Sequence, residues 1–225
     1  MRPLENLVAL QELLLENTRV SDLKPLVNLN GLKTLSLKNT RVRDLKPLAN
    51  LSALETLLLD GTGVGDLTPL AGLITLKTLS FDGTRVSSLK SLEDLTGLKE
   101  LRLKNTSVND LSHLVGLSAL KTLSFDGTGV GDLTPLAGLI ALQELSLENT
   151  PVGDLRPLAG LSAVQWLFLA HTKVSDLNPL ADLIALEELD LDDTPVSDLS
   201  PLMGLKTLWR VWVESAPDKR RLVRR

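Results

Sequence analysis

Apolar and polar residues alternate at regular intervals along the chain, and each alternating stretch has the length of a short strand. Leu35-Ser36-Leu37 is one such stretch, and it returns 22 residues later with Leu57 and Leu59. A period of two is the pattern of a β-strand with one buried face. With a last, atypical stretch at Val211 and Val213, the pattern predicts ten short strands. A constant offset between them favours a parallel sheet stacked in register.

A segment with a different period joins each strand to the next. Its apolar residues recur every three positions, as in Leu45, Leu48 and Leu51, which favours short 3₁₀ or single-turn α segments. Most of these segments have a proline in the first turn, where the missing N–H costs little. In eight of the segments an aspartate precedes this first turn, at the position expected for a helix N-cap. These residues are Asp22, Asp44, Asp66, Asp110, Asp132, Asp154, Asp176 and Asp198.

A threonine stands where each strand turns into the following segment. At a buried corner its hydroxyl can bond the backbone of its own loop or of the next turn, so that no polar group is buried unpaired. We therefore expect a buried, hydrogen-bonded structural ladder, not a set of nucleophiles. Its members are Thr18, Thr40, Thr62, Thr84, Thr106, Thr128, Thr150, Thr172 and Thr194.

A fixed period of this length indicates a repeat architecture, and the composition fits one. The chain of 225 residues is 43 % hydrophobic but only 3 % aromatic, so its core has to be built from leucines that stack turn upon turn. The absence of cysteine excludes disulfides, zinc–cysteine sites and thiol nucleophiles. A net charge of −4 argues against a dedicated nucleic-acid binder.

The frame resembles the 22-residue leucine-rich repeat of the bacterial internalin type. The resemblance rests on the Leu-x-x-Leu-x-Leu core and on returns such as Asp66-Leu67-Thr68-Pro69-Leu70, and it covers about residues 3 to 213. It implies an α/β solenoid, a right-handed superhelix with about ten short parallel strands on the concave face and short 3₁₀ or helical turns on the convex face. In one respect the chain departs from the family, whose usual ladder asparagine is threonine in all nine turns. The resemblance also implies that the concave face binds another macromolecule, usually a protein.

The domain prediction is one solenoid over residues 1–213, followed by residues 214–225 as a basic tail or the start of a further domain. Pro3-Leu4-Glu5-Asn6-Leu7 already matches a return segment, so we expect the chain to begin in mid-repeat without an N-terminal cap, as a fragment of a larger bacterial protein. Solenoids need caps over their end leucines, and an open edge strand invites pairing. Homo-association through the N-terminal edge is therefore the alternative expectation.

Neither a secretory h-region at the N-terminus nor an apolar run of about 18–20 residues that could span a bilayer is visible in the sequence. The compartment stays open, since a cytoplasmic and a surface-exposed parent protein both fit.

The pattern does not favour an enzyme or a cofactor site. His113 and His171 are the two histidines, and they lie in different positions of the frame, too far apart to share a site. Stacked carboxylates are expected to form a solvated face, because a hard-cation site needs six to eight converging oxygens. The best metal candidate is the group Asp190, Asp192 and Asp193. Gly61-Thr62-Gly63-Val64-Gly65 lacks the lysine and helix of a phosphate-binding loop.

The side chains that alternate with the buried leucines are the candidates for partner binding. Most are Ser, Thr, Lys and Glu, which is typical of a solvated sheet, but aromatic residues appear in the C-terminal third. Exposed aromatic residues beside arginine and acidic residues are characteristic of protein-binding hot spots. An equally open alternative is that they cover the end of the solenoid or contact a further domain. The predicted binding residues are Trp166, Phe168, Glu188, Asp190, Asp192, Arg210 and Trp212.

Three functional hypotheses follow. The first is a module that recognises a protein partner of unknown identity through the concave sheet. The second is a structural spacer or self-associating array. The third, a sensor domain in a multidomain signalling protein, rests on the resemblance alone.

Overall fold

The computed structural model describes Leu4 and residues 7–213, and the predicted tail 214–225 lies outside these residues. Ten three-residue strands form one parallel sheet in which neighbours in sequence are neighbours in space. Each strand pairs with the next at an offset of 22 residues, as in Leu35 beside Leu57. The strands are β1 Glu12–Leu14, β2 Thr34–Ser36, β3 Thr56–Leu58, β4 Thr78–Ser80, β5 Glu100–Arg102, β6 Thr122–Ser124, β7 Glu144–Ser146, β8 Trp166–Phe168, β9 Glu188–Asp190 and β10 Arg210–Trp212.

The return segments contain nine short 3₁₀ helices in the described part of the chain. They are Lys24–Leu26, Lys46–Leu48, Thr68–Leu70, Lys90–Leu92, Ser112–Leu114, Thr134–Leu136, Arg156–Leu158, Asn178–Leu180 and Ser200–Gly204. The prediction of ten strands and short 3₁₀ turns is confirmed.

The core is a stack of leucines between the sheet and the return segments. In the interior turns these leucines have almost no exposed surface, and Phe81 and Phe125 occupy two of the leucine positions with no exposed surface. Leu13 and Leu15 of the first turn are only half-buried. The core therefore has no single centre, because each turn buries its leucines against the turns before and after it.

The aspartates of the return segments act one position earlier than the sequence predicted. Asp154 Oδ1 accepts the backbone N–H of Arg156 at 2.9 Å, but the N-cap position itself is occupied by Leu155, without a side-chain cap. The same bond joins residues two apart in the other seven cases. The aspartate thus forms an Asx-turn that leads into the helix.

The threonine hydroxyls close their own turns and do not link one turn to the next. Thr40 Oγ1 donates to Leu37 O at 2.7 Å, and every other threonine of the set donates to the carbonyl three residues before it. Eight are buried, but Thr18 in the first described turn is exposed, which corrects the expectation of nine buried residues.

The residue before each threonine has a positive φ, which sharpens the corner. Glycine supplies this conformation at Gly61, Gly83 and Gly127. Asn, His or Asp supplies it in the other turns, at Asn17, Asn39, Asn105, Asn149, His171 and Asp193. These residue types tolerate the left-handed region better than other side chains do, so the repeat keeps one backbone corner with several sequences.

Candidate functional site: the open face of the sheet

The face of the sheet opposite the core, here called the open face, carries three columns of side chains. The first column is the first residue of each strand, and the second is the third residue. The third column lies two residues beyond the strand. In strand order, the second column is Leu14, Ser36, Leu58, Ser80, Arg102, Ser124, Ser146, Phe168, Asp190 and Trp212, and the third is Glu16, Lys38, Asp60, Asp82, Lys104, Asp126, Glu148, Ala170 and Asp192.

The serines of the second column are buried, which corrects the prediction of a solvated face. Ser36, Ser80 and Ser146 have at most 5 % of their surface exposed. Each donates its hydroxyl to a carboxylate of the preceding turn. Ser36 bonds Glu16 at 2.5 Å, Ser146 bonds Asp126 at 2.6 Å, and Ser80 bonds Asp60.

Two aspartates of the third column organise these contacts. The carboxylate of Asp60 forms an ion pair with Lys38 Nζ at 2.9 Å and accepts a hydrogen bond from the backbone N–H of Asp82 at 3.0 Å. Three turns later, Asp126 receives Lys104 Nζ at 2.6 Å and the backbone N–H of Glu148 at 3.1 Å. The same Lys–Asp–Ser cluster is therefore built twice, 66 residues apart. It links neighbouring turns by charge-assisted hydrogen bonds.

Ser124 shows what happens when the carboxylate is absent. It is 2 % exposed, and its Oγ has no hydrogen-bond partner in the described part of the chain. The equivalent position of the preceding turn is Lys104, whose ammonium group can only donate. The ammonium group of Lys104 instead forms an ion pair with Asp126.

The 66-residue period divides the sheet into three blocks of three turns, residues 12–77, 78–143 and 144–209. The third block lacks the lysine of the cluster, because Ala170 stands where the first two blocks have Lys38 and Lys104, between Glu148 and Asp192. Burial, then the neighbouring charges of Asp126 and Asp190, raise the pKa of Glu148. The open face consequently becomes acidic towards its C-terminal end.

The aromatic residues lie inside this acidic region. In the first column, Trp166 is paired in register with Glu144 on one side and Glu188 on the other. In the second column, Phe168 lies between Ser146 and Asp190. Leu167 between the two aromatic residues is buried in the core, and both aromatic residues are half-buried.

Arg210 occupies the end of the same surface. Its guanidinium carbon lies 4.1 Å from the ring centre of Trp209 and 5.0 Å from that of Trp212. Its Nη1 is 3.4 Å from Glu188 Oε2. Sequence reasoning did not include Trp209 among the binding residues, because it precedes the strand and so falls outside the alternation, yet it makes the shorter of the two stacking contacts.

All seven predicted binding residues lie on one patch. Trp166, Glu188 and Arg210 follow one another in the first column, Phe168, Asp190 and Trp212 in the second, and Asp192 lies in the third. Asp190 Oδ1 accepts the backbone N–H of Asp192 at 2.9 Å. We call the patch formed by these seven residues the acidic–aromatic surface. Its role in binding stays a prediction.

Comparison with known proteins gives the family. A family model described as Leucine Rich repeats (2 copies) matches residues 8–50. The solved structure of internalin C2 from Listeria monocytogenes is similar with a TM-score of 0.81 and 38 % identity, over 83 % of this chain and 82 % of that one.

The chain belongs to the internalin-like leucine-rich-repeat family. The internalin InlF from the same organism is 29 % identical with a TM-score of 0.80, over 93 % of this chain and 68 % of that one. A leucine-rich-repeat protein of Leptospira interrogans shares the fold at 22 % identity, with a TM-score of 0.88 over 94 % of this chain and 57 % of that one. No curated protein sequence matches the chain significantly.

This internalin-like protein shows no metal-binding group of three or more His, Cys, Asp or Glu within its described residues. Of the three aspartates that the sequence singled out, Asp193 pairs with His171 Nδ1 at 3.2 Å. Residues 7–213 contain no helix long and apolar enough to cross a membrane.

At the C-terminal end of the internalin-like solenoid, the described residues leave an apolar cavity of about 420 Å³. Leu199, Leu202, Leu205, Leu208 and Val211 line it, and these belong to the last turns of the core. The cavity is therefore the end of the leucine stack and contains none of the predicted binding residues.

Proposed function

We propose that the protein is a recognition module that binds a protein partner through the acidic–aromatic surface of the open face. The observation that carries the proposal is the contrast along this face. In the two Lys–Asp–Ser clusters, a buried serine and a lysine whose side chain is 35–37 % exposed both contact the same aspartate, so that neighbouring turns satisfy one another's polar groups. In the last block, half-buried Trp166 and Phe168 stand where the first block has Thr34 and Ser36 and the second has Glu100 and Arg102.

Large aromatic side chains that are partly open to solvent supply binding energy when a partner desolvates them, and they are enriched at the centres of interfaces. The alternative explanation, that aromatic residues cover the end of the solenoid, fits Trp209 and Trp212 at the last strand. It fits Trp166 and Phe168 less well, because two further strands, β9 and β10, follow them in the sheet.

The test replaces Trp166 and Phe168 with alanine in the full chain. Proteins captured from extracts by the wild type and by the variant are compared by quantitative mass spectrometry. A matched control replaces Ile140 and Ile184, which are apolar, about 67–70 % exposed and away from the open face, with alanine. We expect the aromatic variant to lose partners that the control keeps.

The free energy of unfolding separates binding from folding. Because Trp166 and Phe168 are half-buried, their joint replacement should cost about 1–3 kcal/mol of packing even when they act as contacts, less than the roughly 3–5 kcal/mol that removing a single core aromatic residue costs. Identical capture by all three proteins, or a loss above about 5 kcal/mol in the aromatic variant, would contradict the proposal.

A second candidate is self-association through the first described turn. Among the described residues, strand β1 pairs on one side only, with β2. Leu14 is 58 % exposed, and Leu13 and Leu15 are half-buried. Light scattering after size exclusion over a wide concentration range tests this candidate. A dimer or growing series that disappears in a Leu14→Lys variant supports it, whereas a monomer at every concentration removes it.

A further inference from the structure

We propose that the acidic–aromatic surface binds an arginine side chain of the partner, stacked on Trp166 between Glu144 and Glu188. This inference rests on the proposed function and specifies the chemistry of the partner. The occupant is a protein segment that presents at least one arginine.

The protein's own Arg210 shows that this surface accommodates a guanidinium group. That group lies over two indole rings, at 4.1 and 5.0 Å from their centres, and 3.4 Å from a carboxylate oxygen of Glu188. Stacking on an aromatic face combined with a carboxylate contact is the environment that suits guanidinium better than ammonium.

Trp166 offers the same two elements two strands earlier. Its neighbours in register are Glu144 and Glu188, one strand spacing away on either side. Strand spacing is about 4.8 Å, so a planar cation over the indole would be within reach of both carboxylates. In its column Glu144 lies between uncharged Thr122 and Trp166. Arg102, two strands earlier in the second column, also acts on Glu144, but its guanidinium is ion-paired with Glu100 at 2.6 Å.

The distribution of charge supports a cationic partner. Residues 7–112 contain 13 Lys or Arg and 12 Asp or Glu, whereas residues 113–213 contain five and 13. The second half thus has a net charge of −8 and the first half +1. Part of this excess negative charge lies on the open face, because Ala170 replaces the lysine of the earlier blocks. The charges of neighbouring carboxylates accordingly help burial to raise the pKa of Glu148. Such a field attracts a basic segment and repels a phosphate backbone.

The experiment titrates the full chain with hexa-arginine and hexa-lysine peptides, both acetylated and amidated, by isothermal titration calorimetry at about 0.15 M salt, where long-range attraction is screened. Both peptides carry the same charge, so their difference reports stacking and planar contacts. We expect hexa-arginine to bind about tenfold more tightly than hexa-lysine.

Three variants assign the effect to the site. Trp166→Ala should abolish the preference for arginine, with an affinity for hexa-arginine about tenfold lower. Glu144→Gln should weaken the binding of hexa-arginine severalfold, because one of the two carboxylates loses its charge. The matched control is Glu12→Gln, which removes the same charge from the same column at the other end of the sheet and should change nothing.

Two results would overturn the proposal. One is equal affinity of the two peptides, or a preference for arginine that survives in Trp166→Ala. The other is an affinity for hexa-arginine that rises tenfold when Lys219, Arg220, Arg221, Arg224 and Arg225 are all changed to glutamine. Such a rise would mean that basic residues of this chain itself compete with the peptide for the surface.

The outcome is separable from that of the proposed function. If the Trp166 and Phe168 variant loses captured proteins while the two peptides bind alike, the recognition module stands and the arginine preference fails. If the peptides behave as expected and no captured protein depends on these residues, the recognition module fails.

Discussion

Two serines at equivalent positions of the sheet differ in the side chain that the preceding turn places 20 residues before them, Asp126 in one case and Lys104 in the other. Ser146 donates to Asp126, whereas Ser124 faces the position of Lys104 and has no acceptor among the described residues. Both are almost completely buried. A buried hydroxyl without a partner is costly, while one that satisfies a buried carboxylate contributes to stability. Serine therefore stabilises the fold in one turn and destabilises it in the adjacent turn.

We expect Ser124→Ala to leave the free energy of unfolding unchanged or to raise it slightly, because no hydrogen bond is lost. Ser146→Ala should lower it by about 1–3 kcal/mol, because the carboxylate of Asp126, a residue that is 8 % exposed, loses a donor. Urea unfolding of the two single variants beside the wild type provides the comparison. Equal losses in both variants would refute this account of the serine column.

An aspartate precedes eight of the nine described 3₁₀ helices of the return segments. Hydrogen bonds to Arg156, from its side chain first and its backbone second, lower the pKa of Asp154 to about 2. The pKa values of Asp66, Asp110, Asp132 and Asp198 are lowered by equivalent bonds. In one turn Ser88 replaces the aspartate and accepts the N–H of Lys90 at 3.3 Å, a longer bond than the aspartates make.

These lowered pKa values predict acid sensitivity. A carboxylate whose folded pKa lies below its unfolded value of 3.8 stabilises the fold above that value, and the contribution is lost as pH falls towards about 2. We expect Asp154→Asn to be less stable than the wild type at pH 7, with most of the difference gone at pH 2, where the folded carboxyl group is about half protonated. Urea unfolding at both values measures the gap, and a gap independent of pH would contradict the assignment.

Asp82 on the open face provides a control with the opposite sign. Burial raises its pKa, and repulsion from Asp60 adds to the effect. A carboxylate with a raised folded pKa opposes folding when it is ionised, so stability increases as pH falls through that pKa. Asp82→Asn should therefore be more stable than the wild type at pH 7, with the gap closing below pH 3.8. A less stable variant at pH 7 would show that the charge of Asp82 is needed.

The sequence predicts the elements well because one backbone corner, one leucine column and one proline position recur at a constant spacing. It predicts the chemistry of the open face less well. Ser146 reads as a solvated strand residue, yet it is buried because its partner Asp126 lies 20 residues earlier, in the preceding turn. Contacts of this kind become visible only when positions are compared across turns. Trp209 was missed for a related reason, since its contact with Arg210 follows from side-chain stacking and not from strand alternation.

A three-turn period organises the solenoid above the 22-residue repeat. Lys38 and Asp60 recur as Lys104 and Asp126, and the segments Thr62–Ile74 and Thr128–Ile140 are identical in sequence. Each turn contacts only its neighbours, so removing whole turns should leave the remaining interfaces intact. The period breaks at Ala170, and the acidic–aromatic surface lies where it breaks.

We expect deletion of residues 62–127 to give a folded protein that keeps the acidic–aromatic surface. The deletion removes β4, β5 and β6 and joins Gly61 to Thr128. Asp60 then takes the place of Asp126 beside Ser146, and Lys38 takes the place of Lys104 beside that aspartate. The Lys–Asp–Ser cluster is thereby rebuilt at the junction.

Circular dichroism should show a cooperative transition at a lower melting temperature, because three stacking interfaces are lost. Calorimetry should show an affinity for hexa-arginine within about twofold of the full chain, since β8–β10 lie beyond the junction. A folded deletion variant with tenfold weaker binding would place part of the binding surface in the removed turns.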